Sequence, residues 1–228
     1  CVIWANYNFL RLTLHPHLHK SGKLCFFTVN VIGSLAIYFS FAFTVEVLRA
    51  LDFESDKIDA LVMVFFWPIY ILGTCLTIFY YAGVFWDEDE KKNILKWQNH
   101  GVPLSRYLHT THSTSIVCVN IDLFFKNKDL LCSHAPESFR TIAIGLFLWG
   151  TYYDTIVIIN YLKSGYFPYP FLNDLKVKTN GFFPCVLLQA FKALVILIGS
   201  GAFTIIKVVF VTVEKMTVAS IQTQESAE

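Results

Sequence analysis

The chain has 228 residues, 55% of them hydrophobic and 15% charged, with a net charge of +1. Soluble domains carry about 25% charged residues, so an ordinary water-soluble fold is excluded. The near-neutral balance gives neither the basic footprint of a nucleic-acid partner nor a polybasic membrane-surface patch.

Lipid as solvent fits the 22 Phe, 11 Tyr and 5 Trp, because aromatic rings gather at both membrane interfaces. Of the six cysteines, Cys25, Cys75, Cys118 and Cys185 stand in apolar runs and read as small hydrophobes; Cys132 stands in a polar loop. No CxxC or regular spacing occurs, so the cysteines predict neither a disulfide framework nor a zinc site. The first residue is Cys1, and the chain reads as a fragment or a processed product without a complete signal peptide.

A membrane helix needs about 20 mostly apolar residues. Leu24 to Val45 is uncharged between Lys23 and Glu46, and Ala60 to Trp86 is uncharged between Asp59 and Asp87. Tyr107 to Phe125 carries one acid, Asp122, and Thr141 to Leu162 carries Asp154. Gly181 to Val213 holds Lys192 and Lys207, which either snorkel or face the bundle interior. Residues 1–14 read equally as the tail of a further helix or as a short interfacial helix. The expected fold is all-α: a multi-pass transmembrane helix bundle of five spans, one domain over 1–216, with a polar, disordered tail over 217–228. Pro68 is expected to kink its helix.

Counting spans from the side where Leu24 enters (side A) places the start of 107–125 on side A too. Loop Lys and Arg lean towards side A, which the positive-inside rule assigns to the cytoplasm. The host membrane is expected to be the endoplasmic reticulum or the plasma membrane.

Ionisable groups in hydrocarbon are costly, so each is a functional candidate. Only two of the seven His, His109 and His112, lie inside a span, and at i,i+3 they share one helix face. Thr28 and His109 fall at similar shallow depth from side A, at 1.5 Å rise per residue. A hydroxyl and an imidazole from neighbouring helices supply the nucleophile and base of acyl transfer. The alternatives are plainer. A membrane Thr commonly bonds its own i−4 carbonyl, and an intramembrane His pair commonly bonds a neighbouring helix or holds a metal or haem. Asp154, Lys192 and Lys207 would serve as pathway charges in a transporter or receptor.

The stretch Leu108-His109-Thr110-Thr111-His112-Ser113-Thr114, followed by Asp122, resembles the NHxxHT-plus-acid segment of a membrane family. That family comprises the androgen-induced gene 1 protein and the androgen-dependent tissue-factor-pathway-inhibitor regulating protein. Gly22 to Asn30 resembles the family's segment around its threonine, and Phe66-Trp67-Pro68 its FP-containing helix. Ser164 to Pro170 resembles its TG-x-x-x-YP loop, and Val213-Glu214-Lys215-Met216 the end of its last helix. The matches keep chain order over about residues 20 to 216. Leu108 departs from the pattern, where the family has Asn. Asn99-His100-Gly101 has a similar look but no second His at i+3.

The resemblance implies a threonine hydrolase of fatty acid esters of hydroxy fatty acids. Thr28 would be the nucleophile and His109 the base, with His112 and Asp122 in the same polar cluster. Asn30, Tyr107 and Ser113 are candidate oxyanion donors. No metal, nucleotide or nucleic acid is called for; the partners are the bilayer and the ester substrate.

Overall fold

The computed structural model describes residues 26–53, 55–84, 104–126, 131, 136, 138–179 and 182–225. The expectations for residues 1–14, for Cys25 and Cys132, and for most of the 87–106 and 126–140 loops lie outside them. Among the described residues there are six α-helices: α1 (Phe27–Ala50), α2 (Asp56–Phe79), α3 (Leu104–Phe125), α4 (Phe139–Ser164), α5 (Pro170–Thr179) and α6 (Phe182–Glu225). A π-helical turn, Tyr80–Val84, follows α2 directly. The all-α bundle is as expected.

Among the described residues, four segments are long and apolar enough to cross a membrane: Phe27–Ala50, Asp56–Gly83, Phe139–Ser164 and Phe183–Val209. The expected fifth span, now α3, is comparably long at 22 residues. It does not count with the four, because His, Ser, Thr, Asn and Asp dilute its apolar residues. Its polar residues Thr111, His112 and Ser115 are buried against the bundle, where α3 packs on α2 and, less extensively, on α1.

The hub is α2, which touches α1, α3, α4 and α6. Phe66, Trp67, Met63, Ile71 and Leu72 on it are almost fully buried. Helices in lipid gain little from hydrophobicity alone and associate by close van der Waals packing at small residues. Gly73 is such a point: a Cβ there would lie 3.0 Å from Val119 Cγ1 of α3. Gly199 does the same for α6, where a Cβ would lie 2.9 Å from Ile71.

One sequence expectation is corrected. The 163–180 loop contains α5, a ten-residue helix with Pro170 in its first position, where the missing N–H costs nothing. The backbone of α6 stays helical to Glu225 and so runs through most of the expected tail. Glu214, Lys215, Met216, Ala219 and Gln222 are good helix formers, and no Gly or Pro interrupts them.

Candidate functional site

The first turn of α1 carries Thr28. That turn is fixed from the other end of the sequence. Gly165 closes α4 in the left-handed conformation (φ 77°), its N–H donating to the Tyr161 carbonyl at 2.7 Å. The chain then turns back, and Asn173 pins the loop: its Oδ1 accepts from Phe167 N–H at 2.8 Å and its Nδ2 donates to the Phe167 carbonyl at 2.9 Å. Tyr169 is thereby delivered to the start of α1, where its Oη accepts the Phe27 N–H at 2.9 Å. This satisfies one of the amides that every helix start leaves without an intrahelical partner. Phe27 is held further by edge-on contacts with Trp149, Tyr153 and Phe191.

Against this turn stands α3. Thr28 Oγ1 lies 3.1 Å from His112 Nε2. The other ring nitrogen, Nδ1, lies 2.6 Å from the Leu108 carbonyl oxygen and 3.2 Å from Thr111 Oγ1. A carbonyl only accepts, so Nδ1 carries the proton and donates to Leu108. In neutral imidazole Nε2 is then the acceptor, and the Thr28 hydroxyl donates to it. His112 is buried, as are Thr111 and Ser115 beside it. Tyr80 stacks on the imidazole, ring centroids 4.0 Å apart at 16°. Thr77 of α2 donates to the His112 carbonyl oxygen.

The imidazole that meets Thr28 is therefore His112, and the pairing of Thr28 with His109 is corrected. The equal-depth argument counted from span starts at 24 and 107. Counted from the observed starts, Phe27 and Leu104, Thr28 stands one residue in, His109 five and His112 eight, so the two helix starts are offset along the bundle and equal depth does not pick the partner. His109 has another partner: its Nδ1 lies 3.1 Å from Tyr81 Oη, which in turn lies 2.6 Å from Ser113 Oγ. Tyr80 and Tyr81 both reach the α3 histidines because they open the π turn, a feature frequent at functional sites.

Asp122 does not join this cluster. It is ten residues along α3 from His112, about 15 Å. There its Oδ2 accepts from Tyr38 Oη at 2.7 Å and its Oδ1 from Lys126 Nζ at 3.2 Å. Of the candidate oxyanion donors, Asn30 gives its Nδ2 to the Phe26 carbonyl and Ser113 faces Tyr81. The Tyr107 side chain lies outside the described residues. Among the described residues no three His, Cys, Asp or Glu side chains converge as a metal would require.

A second buried polar group joins α4 to α6. Lys192 Nζ donates to Asp154 Oδ2 at 2.9 Å, and Gln189 Nε2 donates to the same oxygen at 3.0 Å. Gly150 leaves room for the lysine stem, since a Cβ there would lie 2.6 Å from Lys192 Cδ. Lys207 donates to the Pro136 carbonyl at 3.1 Å.

Sequence reasoning missed Thr77, Tyr80, Tyr81 and Tyr169 as site residues. The Tyr169-Pro170 pair was visible only as part of a loop motif, and the tyrosines after Phe79 only as the end of an apolar run. No family model, curated protein or solved structure matches the chain.

Proposed function

We propose that the chain is a membrane-embedded hydrolase of lipid carboxylic esters, with Thr28 as nucleophile and His112 as base. The observation that carries the reading is the Thr28–His112 hydrogen bond, whose direction is set by the Leu108 carbonyl. Nucleophile, base and a group orienting the base form the arrangement that activates a hydroxyl. Here a backbone carbonyl stands where a carboxylate often stands.

Thr28 Oγ1 attacks the ester carbonyl carbon and its proton passes to His112 Nε2. The imidazolium so formed is supported by the Leu108 carbonyl on Nδ1–H and by the stacked Tyr80 ring. Collapse of the tetrahedral intermediate breaks the bond to the alkoxy oxygen, which takes the proton from His112 and leaves as an alcohol. Water then attacks the acyl-Thr28 ester. His112 takes the water's proton and returns it to Thr28 as the fatty acid departs. The negative oxygen of each intermediate forms next to the start of α1, where first-turn amides point and the helix dipole is positive.

The resemblance to a threonine hydrolase family supports fatty acid esters of hydroxy fatty acids as the substrate, in an endoplasmic reticulum or plasma membrane. A haem or metal reading loses its motive once the two histidines have separate partners, Thr28 for one and Tyr81 for the other. The test is acid release from a branched fatty ester by the purified chain in phosphatidylcholine vesicles, with fluorophosphonate labelling alongside. Wild type releases acid and is labelled. Release or labelling that persists in Thr28→Ala overturns the assignment.

A further inference from the structure

One strip of α3 combines a polar head with an apolar groove. At about 100° per residue, His109, Ser113, Ile116, Val117, Asn120 and Phe124 fall within an arc about 100° wide. His112, Ser115 and Val119 lie on the other side of His109, where the site and the α2 contact are. Further along, Ile116, Val117, Asn120, Ile121, Phe124 and Phe125 form an open groove, with Ile121 and Phe125 beyond the edge of that arc on the side away from α2. Its apolar residues are well exposed: Val117 and Ile121 at 52%, Phe125 at 79%, Phe124 at 83%. On the helix that is too polar to count among the four apolar spans, this apolar face stands out.

At the Ser113 end of the strip the chemistry changes. Tyr81 Oη sits between His109 Nδ1 (3.1 Å) and Ser113 Oγ (2.6 Å). An imidazole, a phenol and a hydroxyl together supply hydrogen-bond donors to the oxygens of a carboxyl group. From Ser113 to Phe125 the strip runs about 18 Å along the helix, the reach of a long hydrocarbon chain.

We propose that this strip binds a long-chain fatty acid, its carboxyl group on Tyr81, His109 and Ser113 and its chain along Ile116 to Phe125. The ligand class rests on the amphiphilic order of the strip. On the hydrolase reading, which this deepens, the ligand is also a reaction product. It would be held one helix turn from His112, where it slows turnover as it accumulates.

The experiment uses the Thr28→Ala chain in phosphatidylcholine nanodiscs, so that no hydrolysis intervenes. A diazirine-bearing long-chain fatty acid is crosslinked and compared with its methyl ester. The acid labels the 116–125 peptide about tenfold more than the ester, the size of one charge-assisted hydrogen bond. Ile121→Trp, at an exposed position, and Tyr81→Phe each bring acid labelling down towards the ester level. Equal labelling by acid and ester identifies ordinary annular lipid contact and overturns the proposal. So does undiminished labelling of Ile121→Trp. Failure of the hydrolase reading would appear separately, as ester hydrolysis indifferent to Thr28, and would leave the labelling result standing.

Discussion

His112 Nδ1 lies 2.6 Å from the carbonyl oxygen of Leu108, one turn back on the same helix. That single bond fixes which nitrogen keeps its proton, and so turns the contact at Thr28 into a hydroxyl donating to a base. Any His mid-helix has a carbonyl four residues behind it. What is particular here is that the other nitrogen meets a hydroxyl on a different helix.

The first prediction separates the two histidines. His112→Ala removes the base and lowers ester hydrolysis by about 10²- to 10⁴-fold. His109→Ala removes a partner of Tyr81 and leaves Thr28–His112 intact, so its effect is about tenfold or less, read chiefly in product inhibition. Thr28→Ser keeps a hydroxyl on Nε2 and retains measurable turnover. The check is the initial rate of acid release for all three in the same vesicles; an order reversed between His109 and His112 would return the base role to His109.

Much of the fold was legible because the bilayer imposes a simple rule on the chain. Uncharged runs such as Leu24–Val45 and Ala60–Trp86 have nowhere else to go. The choice between His109 and His112 was not legible. It depends on how far α1 and α3 are offset along their lengths, and on a π turn that aims Tyr80 and Tyr81 at α3. Neither leaves a periodic signal. Asp122 was drawn into the site by the resemblance, but ten residues of rise from His112 put it with Tyr38 and Lys126 instead. Thr28 was found by its helix-end position and by resemblance; its neighbours Thr77 and Tyr169 come from α2 and from the loop before α5, joined to it only by folding.

Tyr169 holds the start of α1 by accepting the Phe27 N–H at its Oη. Tyr169→Phe keeps the ring that packs edge-on against Phe26 at 5.9 Å. It deletes the acceptor, leaving an amide at the helix start unmatched, at a cost of about 1 kcal/mol. The thermal midpoint in detergent should fall by a few degrees. Turnover should fall more than the midpoint implies, because the freed turn is the one that bears Thr28. An unchanged rate with a lowered midpoint would confine Tyr169 to stability.

Thr77→Val tests whether α2 holds the base in place. Valine matches threonine in shape but loses the hydroxyl that donates to the His112 carbonyl. Net loss of one such bond between membrane helices is about 0.6 kcal/mol. The variant should fold and show a small fall in midpoint and a fewfold fall in rate. If α2–α3 contact at Gly73 and Val119 is the stronger restraint, Gly73→Leu is the harsher change. Its side chain has no room beside Val119 Cγ1, and overpacking of this kind costs about 1–3 kcal/mol.

The Asp154–Lys192 pair separates a structural from a transport role. Both side chains are nearly buried, with relative exposures of 8% and 11%, and Gln189 adds a second donor to the same carboxylate oxygen. Removing one partner strands a charge between α4 and α6, so Asp154→Asn or Lys192→Met alone should destabilise the chain by about 3–5 kcal/mol. Removing both, as Asp154→Leu with Lys192→Met, should recover most of that loss, since apolar replacements of a buried pair are often neutral. Ester hydrolysis should return with stability in the double variant, because neither group touches Thr28 or His112. The comparison is made by thermal unfolding in detergent alongside hydrolysis in vesicles. A double variant that is stable yet inactive would move these charges from the frame of the bundle into its working site, and a wild-type flux that vanishes in it would favour the transporter reading.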